Sequence, residues 1–136
     1  MATTMNPYVT LDGNCEEAVG FWTTALGASS HIMRVGDSPM PVPPEAASRV
    51  MHATIKTDNL TLMASDAMQG QSPTQGSQVA ISLNFTDPAE QSRVWESLVD
   101  GGTPVMPLAD QFWGRFGMLV DRYGVSWMLN LETPRE

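Results

Sequence analysis

A chain of 136 residues that is 42% hydrophobic has the mass for a single domain, 1–136, with a packed core. Its net charge of −8 sets 15 acidic residues against six arginines and the single Lys56, a balance that repels phosphate backbones and disfavours nucleic acid. No apolar run approaches a membrane span, no basic-then-apolar leader is expected, and the lone Cys15 excludes an intrachain disulfide framework and any all-cysteine zinc site, so a cytoplasmic setting is expected.

Alternation from Tyr8 to Leu11 predicts a first strand. Asp12-Gly13-Asn14 then turns the chain, with Asn14 as the expected N-cap and Glu16 and Glu17 suited to the positive end of a helix. Ala18, Phe21, Trp22, Ala25 and Leu26 recur at helical spacing, and Gly27 supplies the stop. A strand is expected over 31–35. Residues 36–48 hold Pro39, Pro41, Pro43 and Pro44, so no regular element is expected there. Strands over 49–57 and 60–64 should form a hairpin at Asp58-Asn59. The polar stretch 68–77 reads as a linker.

A second strand-then-helix series follows. Residues 79–85 predict a strand, and Thr86-Asp87-Pro88 starts a helix with proline at its favoured first position. Val94, Trp95, Leu98 and Val99 form the buried stripe, and Gly101-Gly102 ends it. A strand is expected to begin at Val105-Met106, a loop over 110–114, and a strand pair over 117–121 and 125–131. The chain therefore repeats itself. A shift of 73 positions lays Trp22 on Trp95 and Glu17 on Glu90, and the downstream segments 60–65 and 125–130 also correspond. Two copies of this length are a duplicated βαβββ module, 5–66 and 78–132, in an α+β fold rather than a solenoid. One helix per module leaves one sheet face open.

The segments GNCEEAVGFW (13–22), VMHATI (50–55), FWGRFG (112–117) and DRYGVSWMLN (121–130) resemble the PhnB-like branch of the glyoxalase/bleomycin-resistance, or vicinal oxygen chelate, superfamily. The resemblance runs in order from residue 8 to residue 130. It implies two βαβββ modules forming a curled mixed sheet with a cup-shaped cleft. It also implies a homodimer whose cups hold ligand or metal. Some relatives carry a 3-demethylubiquinone methyltransferase label, which no glycine-rich nucleotide loop supports here.

Alternate side chains of a strand share a face. Val9 and Leu11, Met51, Ala53 and Ile55, Val79, Ile81 and Leu83, and Trp127, Leu129 and Leu131 are expected beneath the helices. The opposite set, Tyr8, Thr10, His52, Thr54, Ser82, Asn84, Met128 and Asn130, would line a half-polar concavity suited to a small organic ligand. Metal-using members of the superfamily take ligands from the first and last parts of both modules. Carried over, those positions are Pro7 or Tyr8, His52 or Thr54, Ile81 or Ser82, and Met128. Only His52 is a good ligand for a divalent ion, so neither a metal nor another cofactor is expected.

His52 is a candidate base or a strand histidine held by a neighbour. Cys15, near a helix start, is a candidate thiolate or a packing residue. Arg115, between aromatics and glycines, either clamps an anion at the cup mouth or stacks on Trp113 or Phe116. Trp113 is placed at the pocket, while Trp22, Trp95 and Trp127 are core anchors. Of ten methionines, Met51, Met63, Met106, Met118 and Met128 fall in predicted strands, where core filling is the first explanation. The resulting functions are a PhnB-like small-molecule binder, a drug-sequestering module that holds a cationic antibiotic, or a divalent-metal-dependent lyase or dioxygenase.

Overall fold

Among the described residues two α-helices and eight strands form in the order that the apolar periodicities predict. The structure, a computed structural model, describes residues 3–39, 41–68 and 70–132. It divides into two compact units, Met1–Thr74 and Gln75–Glu136. The first contains β1 (Tyr8–Leu11), α1 (Cys15–Leu26), β2 (Ser29–Arg34), β3 (Val50–Lys56) and β4 (Thr61–Asp66). The second contains β5 (Ile81–Phe85), α2 (Pro88–Val99), β6 (Thr103–Gln111), β7 (Gly114–Val120) and β8 (Ser126–Glu132).

Each unit is an open four-stranded mixed sheet with one helix. The orders are β1-β4-β3-β2 and β5-β8-β7-β6, with β1 parallel to β4, β5 parallel to β8, and the remaining neighbours antiparallel. The helices start at Cys15 and Pro88 and end at Leu26 and Val99, so both ends keep the 73-position spacing. The fold is α+β with two βαβββ units, as the repeat predicts.

Burial follows the same logic. In the first unit Ala18, Trp22 and Ala25 of α1 are buried, as are Val50, Ala53, Ile55, Leu62 and Ala64 of the sheet. In the second, Val94 and Leu98 of α2 are buried with Leu119, Trp127 and Leu129. Large side chains such as Trp22 and Trp127 each stabilise the fold by about 2 to 3 kcal/mol on burial. Gly117 has a packing reason: a Cβ there would lie 2.7 Å from the Trp95 ring, so the bare backbone makes room for that indole. Gly27 caps α1 at φ 62, ψ 39, a left-handed conformation that favours glycine.

Several boundaries move, each for a local reason. β3 carries a bulge, because Met33 faces His52 but Arg34 faces Val50. The extra residue is Met51. Val50 therefore takes the fully buried place that alternation assigned to Met51, which is only half-buried. Val79 lies outside β5 and is 80% exposed rather than beneath a helix. β4 runs on through Ser65 and Asp66. β6 and β7 absorb most of the expected 110–114 loop and leave a tight hairpin at Phe112 and Trp113. The proline-rich segment holds two 3-10 turns, Val35–Asp37 and Pro44–Ala46, that no sequence period marks. Gln69, within the expected linker, lies outside the described residues.

Candidate functional site

The face of the first sheet opposite its buried face is built from β1, β4, β3 and β2. Tyr8, Met63, Thr54 and His31 stand in one cross-strand row, and Thr10 pairs with Ser65 beside it. His52 is the centre of this face. Its Nδ1 lies 3.3 Å from the Tyr8 hydroxyl and its Nε2 lies 3.3 Å from Thr54 Oγ1. The Tyr8 and His52 rings sit 5.8 Å apart at a 40° tilt. Hydroxyls can donate or accept, so the two neighbours hold the ring in place in either tautomer. Tyr8, His52 and Thr54, chosen by alternation alone, come together here.

The second sheet presents two parallel rows on the corresponding face. Ser82, Met128, Met118 and Met106 form one, and Asn84, Asn130, Phe116 and Ala109 form the other. Trp113 bends over the second row from the hairpin. Its Nε1 donates to Asn130 Oδ1 at 3.1 Å, and its ring meets Phe116 edge-on at 5.7 Å. The indole stays 39% exposed, and Phe112 beside it is 96% exposed. Ser82, Asn84, Met128, Asn130 and Trp113 thus share one face. Met63, Met106, Met118 and Phe116 belong to these faces as well. Strand parity is the signal that marks them, while core filling is the ordinary role of strand methionines.

Arg115 is turned the other way. Its register partner is Leu131, on the helix side of β8, and one guanidinium nitrogen donates to the Pro88 carbonyl at 3.2 Å and Ser92 Oγ at 2.9 Å. It ties β7 to the first turns of α2 instead of reaching the open face. Neither stacking on Phe116 nor an anion clamp fits that direction, because odd and even residues of β7 face opposite ways. Gln91, which the sequence reading missed, occupies in α2 the place of Ala18 in α1. It is fully buried, and its amide nitrogen donates to the Arg115 carbonyl at 2.9 Å and the Leu129 carbonyl at 3.3 Å.

Cys15 is no nucleophile. Its side chain is fully buried, and burial, then the nearby Asp66 and Glu16 charges, push the thiol up to about 12. The helix start alone would have favoured a thiolate, but Asp66 stands on that end.

The carried-over metal positions also shift. His52 lies on β3, an inner strand, whereas the strand paired with β1 is β4, and its residue opposite Tyr8 is Met63. The corresponding pair in the second sheet is Ser82 and Met128. Thioethers and hydroxyls in these places do not fit Mg²⁺, Mn²⁺ or Zn²⁺. Among the described residues no three His, Cys, Asp or Glu side chains group as a metal site. No helix among them is long and apolar enough to cross a membrane.

Residues 3–130 match the family described as 3-demethylubiquinone-9 3-methyltransferase. The chain is similar to protein PA1353 from Pseudomonas aeruginosa, 36% identical, with a TM-score of 0.88 over 98% of this chain and 100% of that one. It is also similar to the PhnB protein from Bacillus cereus, 27% identical, with a TM-score of 0.77 over 95% of this chain and 99% of that one. A glyoxalase/bleomycin resistance protein from Albidiferax ferrireducens T118 shares the fold at 15% identity, with a TM-score of 0.61 over 96% and 100% of the two chains.

Proposed function

The chain belongs to the 3-demethylubiquinone-9 3-methyltransferase family, a PhnB-like branch of the glyoxalase/bleomycin-resistance superfamily, and we propose that it binds a small organic molecule on its open sheet faces. One observation carries the proposal. On the second sheet, three adaptable thioethers, Met106, Met118 and Met128, lie beside an indole that Asn130 holds in place. Methionine-rich surfaces accommodate varied apolar shapes, and a few fixed polar groups orient the guest. His52, fixed between Tyr8 and Thr54, is the matching polar group of the first sheet.

The net charge of −8 favours a cationic guest and supports drug sequestration as the second reading. Methyl transfer, which the family description names, has no support in the residues placed here. A divalent-metal lyase or dioxygenase has little, because the donor set is wrong for the ion. We propose a homodimer as the working unit, since one helix covers only one face of each sheet and leaves the other for a partner or ligand. Light scattering should give twice the 14.8 kDa chain mass.

The test is a melting screen of purified protein against neutral, cationic and anionic small molecules. Bound ligand raises apparent stability by mass action. A hit should lose its effect in Trp113→Ala or His52→Ala. Hits that shift wild type and both variants equally would refute binding on these faces.

A further inference from the structure

The first unit also holds a cavity of about 500 Å³ that takes in Ser65 from the rim of the open face but not Tyr8, His52 or Thr54. It lies between residues 35–38 and 42–46 and the adjoining ends of β3 and β4. The segment is fastened at both ends: the Val35 amide donates to the Arg49 carbonyl at 2.8 Å and the Gly36 amide to the Ala47 carbonyl at 2.9 Å. The close approach requires glycine, because a Cβ at Gly36 would lie 2.9 Å from the Ala47 carbonyl oxygen. Val42, Pro43 and Ala46 line it from the segment, Met51 from β3 and Met68 from the residues after β4. The β3 bulge is what frees Met51 from the helix-side core to line this space.

The charges around the cavity are already satisfied. Asp66 accepts the Gly13, Cys15 and Val50 amides at 2.7, 3.0 and 2.9 Å. Arg49 donates to the Ala67 carbonyl at 2.7 Å and to Asp12 at 3.2 Å. The Ser65 hydroxyl is different: among the described residues no hydrogen bond engages it. A charged guest would find no free counter-charge, whereas an apolar one with a single hydroxyl would find thioethers, aliphatic walls and the Ser65 hydroxyl, Ser38 being bonded to the Val35 carbonyl. The volume lies within the range of small-molecule sites.

We propose that this cavity is a second binding site, for an uncharged and mainly apolar small molecule carrying one hydroxyl or carbonyl group. The test titrates the full chain with 1-octanol, octanoate and octylammonium and follows backbone amide resonances. Octanol should give saturable shifts centred on Ser38, Met51 and Ser65. The two charged analogues should bind about tenfold more weakly or worse, since each would bury an unpaired charge. Val42→Trp, on the wall, should abolish octanol binding. Ser65→Ala should weaken it about threefold or more while the amide spectrum stays folded. His52→Ala, which tests the open face, should leave octanol affinity unchanged. The proposal is overturned by absence of saturable shifts, by equal affinity for the charged analogues, or by octanol binding that survives Val42→Trp. Shifts centred on His52 or Trp113 and lost in His52→Ala would also overturn it, and would assign octanol to the open face.

Discussion

Asp66 Oδ1 accepts the Cys15 amide at 3.0 Å, so the last residue of β4 caps the first residue of α1 from 51 positions away. The same oxygen accepts the Gly13 amide, and Oδ2 accepts that of Val50. One carboxylate thus fastens the turn before the helix, the helix start and the β3 bulge. Asn14, next to the helix, makes no side-chain cap bond. Asp66→Ala should cost on the order of 3 kcal/mol, because three amides lose a charged acceptor at once. Urea denaturation measures it. A loss under about 0.5 kcal/mol would mean that water replaces the carboxylate.

Cys15 links the same corner to pH. Its thiol rises from 9.0 to about 12, first through burial and then through Asp66 and Glu16. Below pH 9 the thiol is protonated in both states and its full contribution is present. Between pH 9 and 12 the unfolded thiol ionises while the native one does not, so stability falls as pH rises. Wild type should lose about 1.4 kcal/mol relative to Cys15→Ala between pH 7 and pH 10. Equal pH slopes for the two proteins would contradict the buried thiol. Native protein should also resist a thiol reagent that labels it quickly in urea.

Period and punctuation were enough to read the helices, because Trp22 and Trp95 sit in amphipathic stripes with clear starts and stops. Alternation also found His52 with Tyr8 and Thr54, since these residues lie in regular pairing. What it missed depends on contacts distant in sequence. The Met51 bulge exists only through the mismatch with Met33 and Arg34. Arg115 looked like a pocket residue because its neighbours are aromatic, yet strand parity sends it to Pro88 and Ser92. Asp66 fell outside the predicted strand, so its capping role had no signal. The methionine row was hidden for another reason: thioethers suit cores and ligand surfaces alike, and only register places them on the open face.

Gly114 sets up the hairpin that presents Trp113. Its φ of 151° lies in a region that favours glycine, and a Cβ would collide with the Leu131 carbonyl oxygen. Glu132 Cα would lie only 2.9 Å away. All of these atoms are backbone, so nothing can swing aside. Gly114→Ala should destabilise the protein by about 3 kcal/mol and alter the amide resonances of 111–116 first. A wild-type melting temperature in this variant would show that the hairpin tolerates another geometry.

The last prediction separates Asn130 from the fold it sits on. Its Oδ1 holds the Trp113 indole at 3.1 Å on a half-exposed surface, so its loss should scarcely change stability. Asn130→Ala should stay within about 0.5 kcal/mol of wild type in urea, as surface substitutions generally do. Ligand binding should suffer more, because the indole loses the partner that orients it. A molecule found in the melting screen should bind Asn130→Ala about fivefold more weakly, and Trp113→Ala by a similar factor. The double variant should be little worse than either, since both changes remove one coupled contact. Fluorescence titration would follow the Asn130→Ala series through Trp113 itself, and calorimetry the others. Additive losses in the double variant would show that Asn130 meets the ligand directly rather than through the indole.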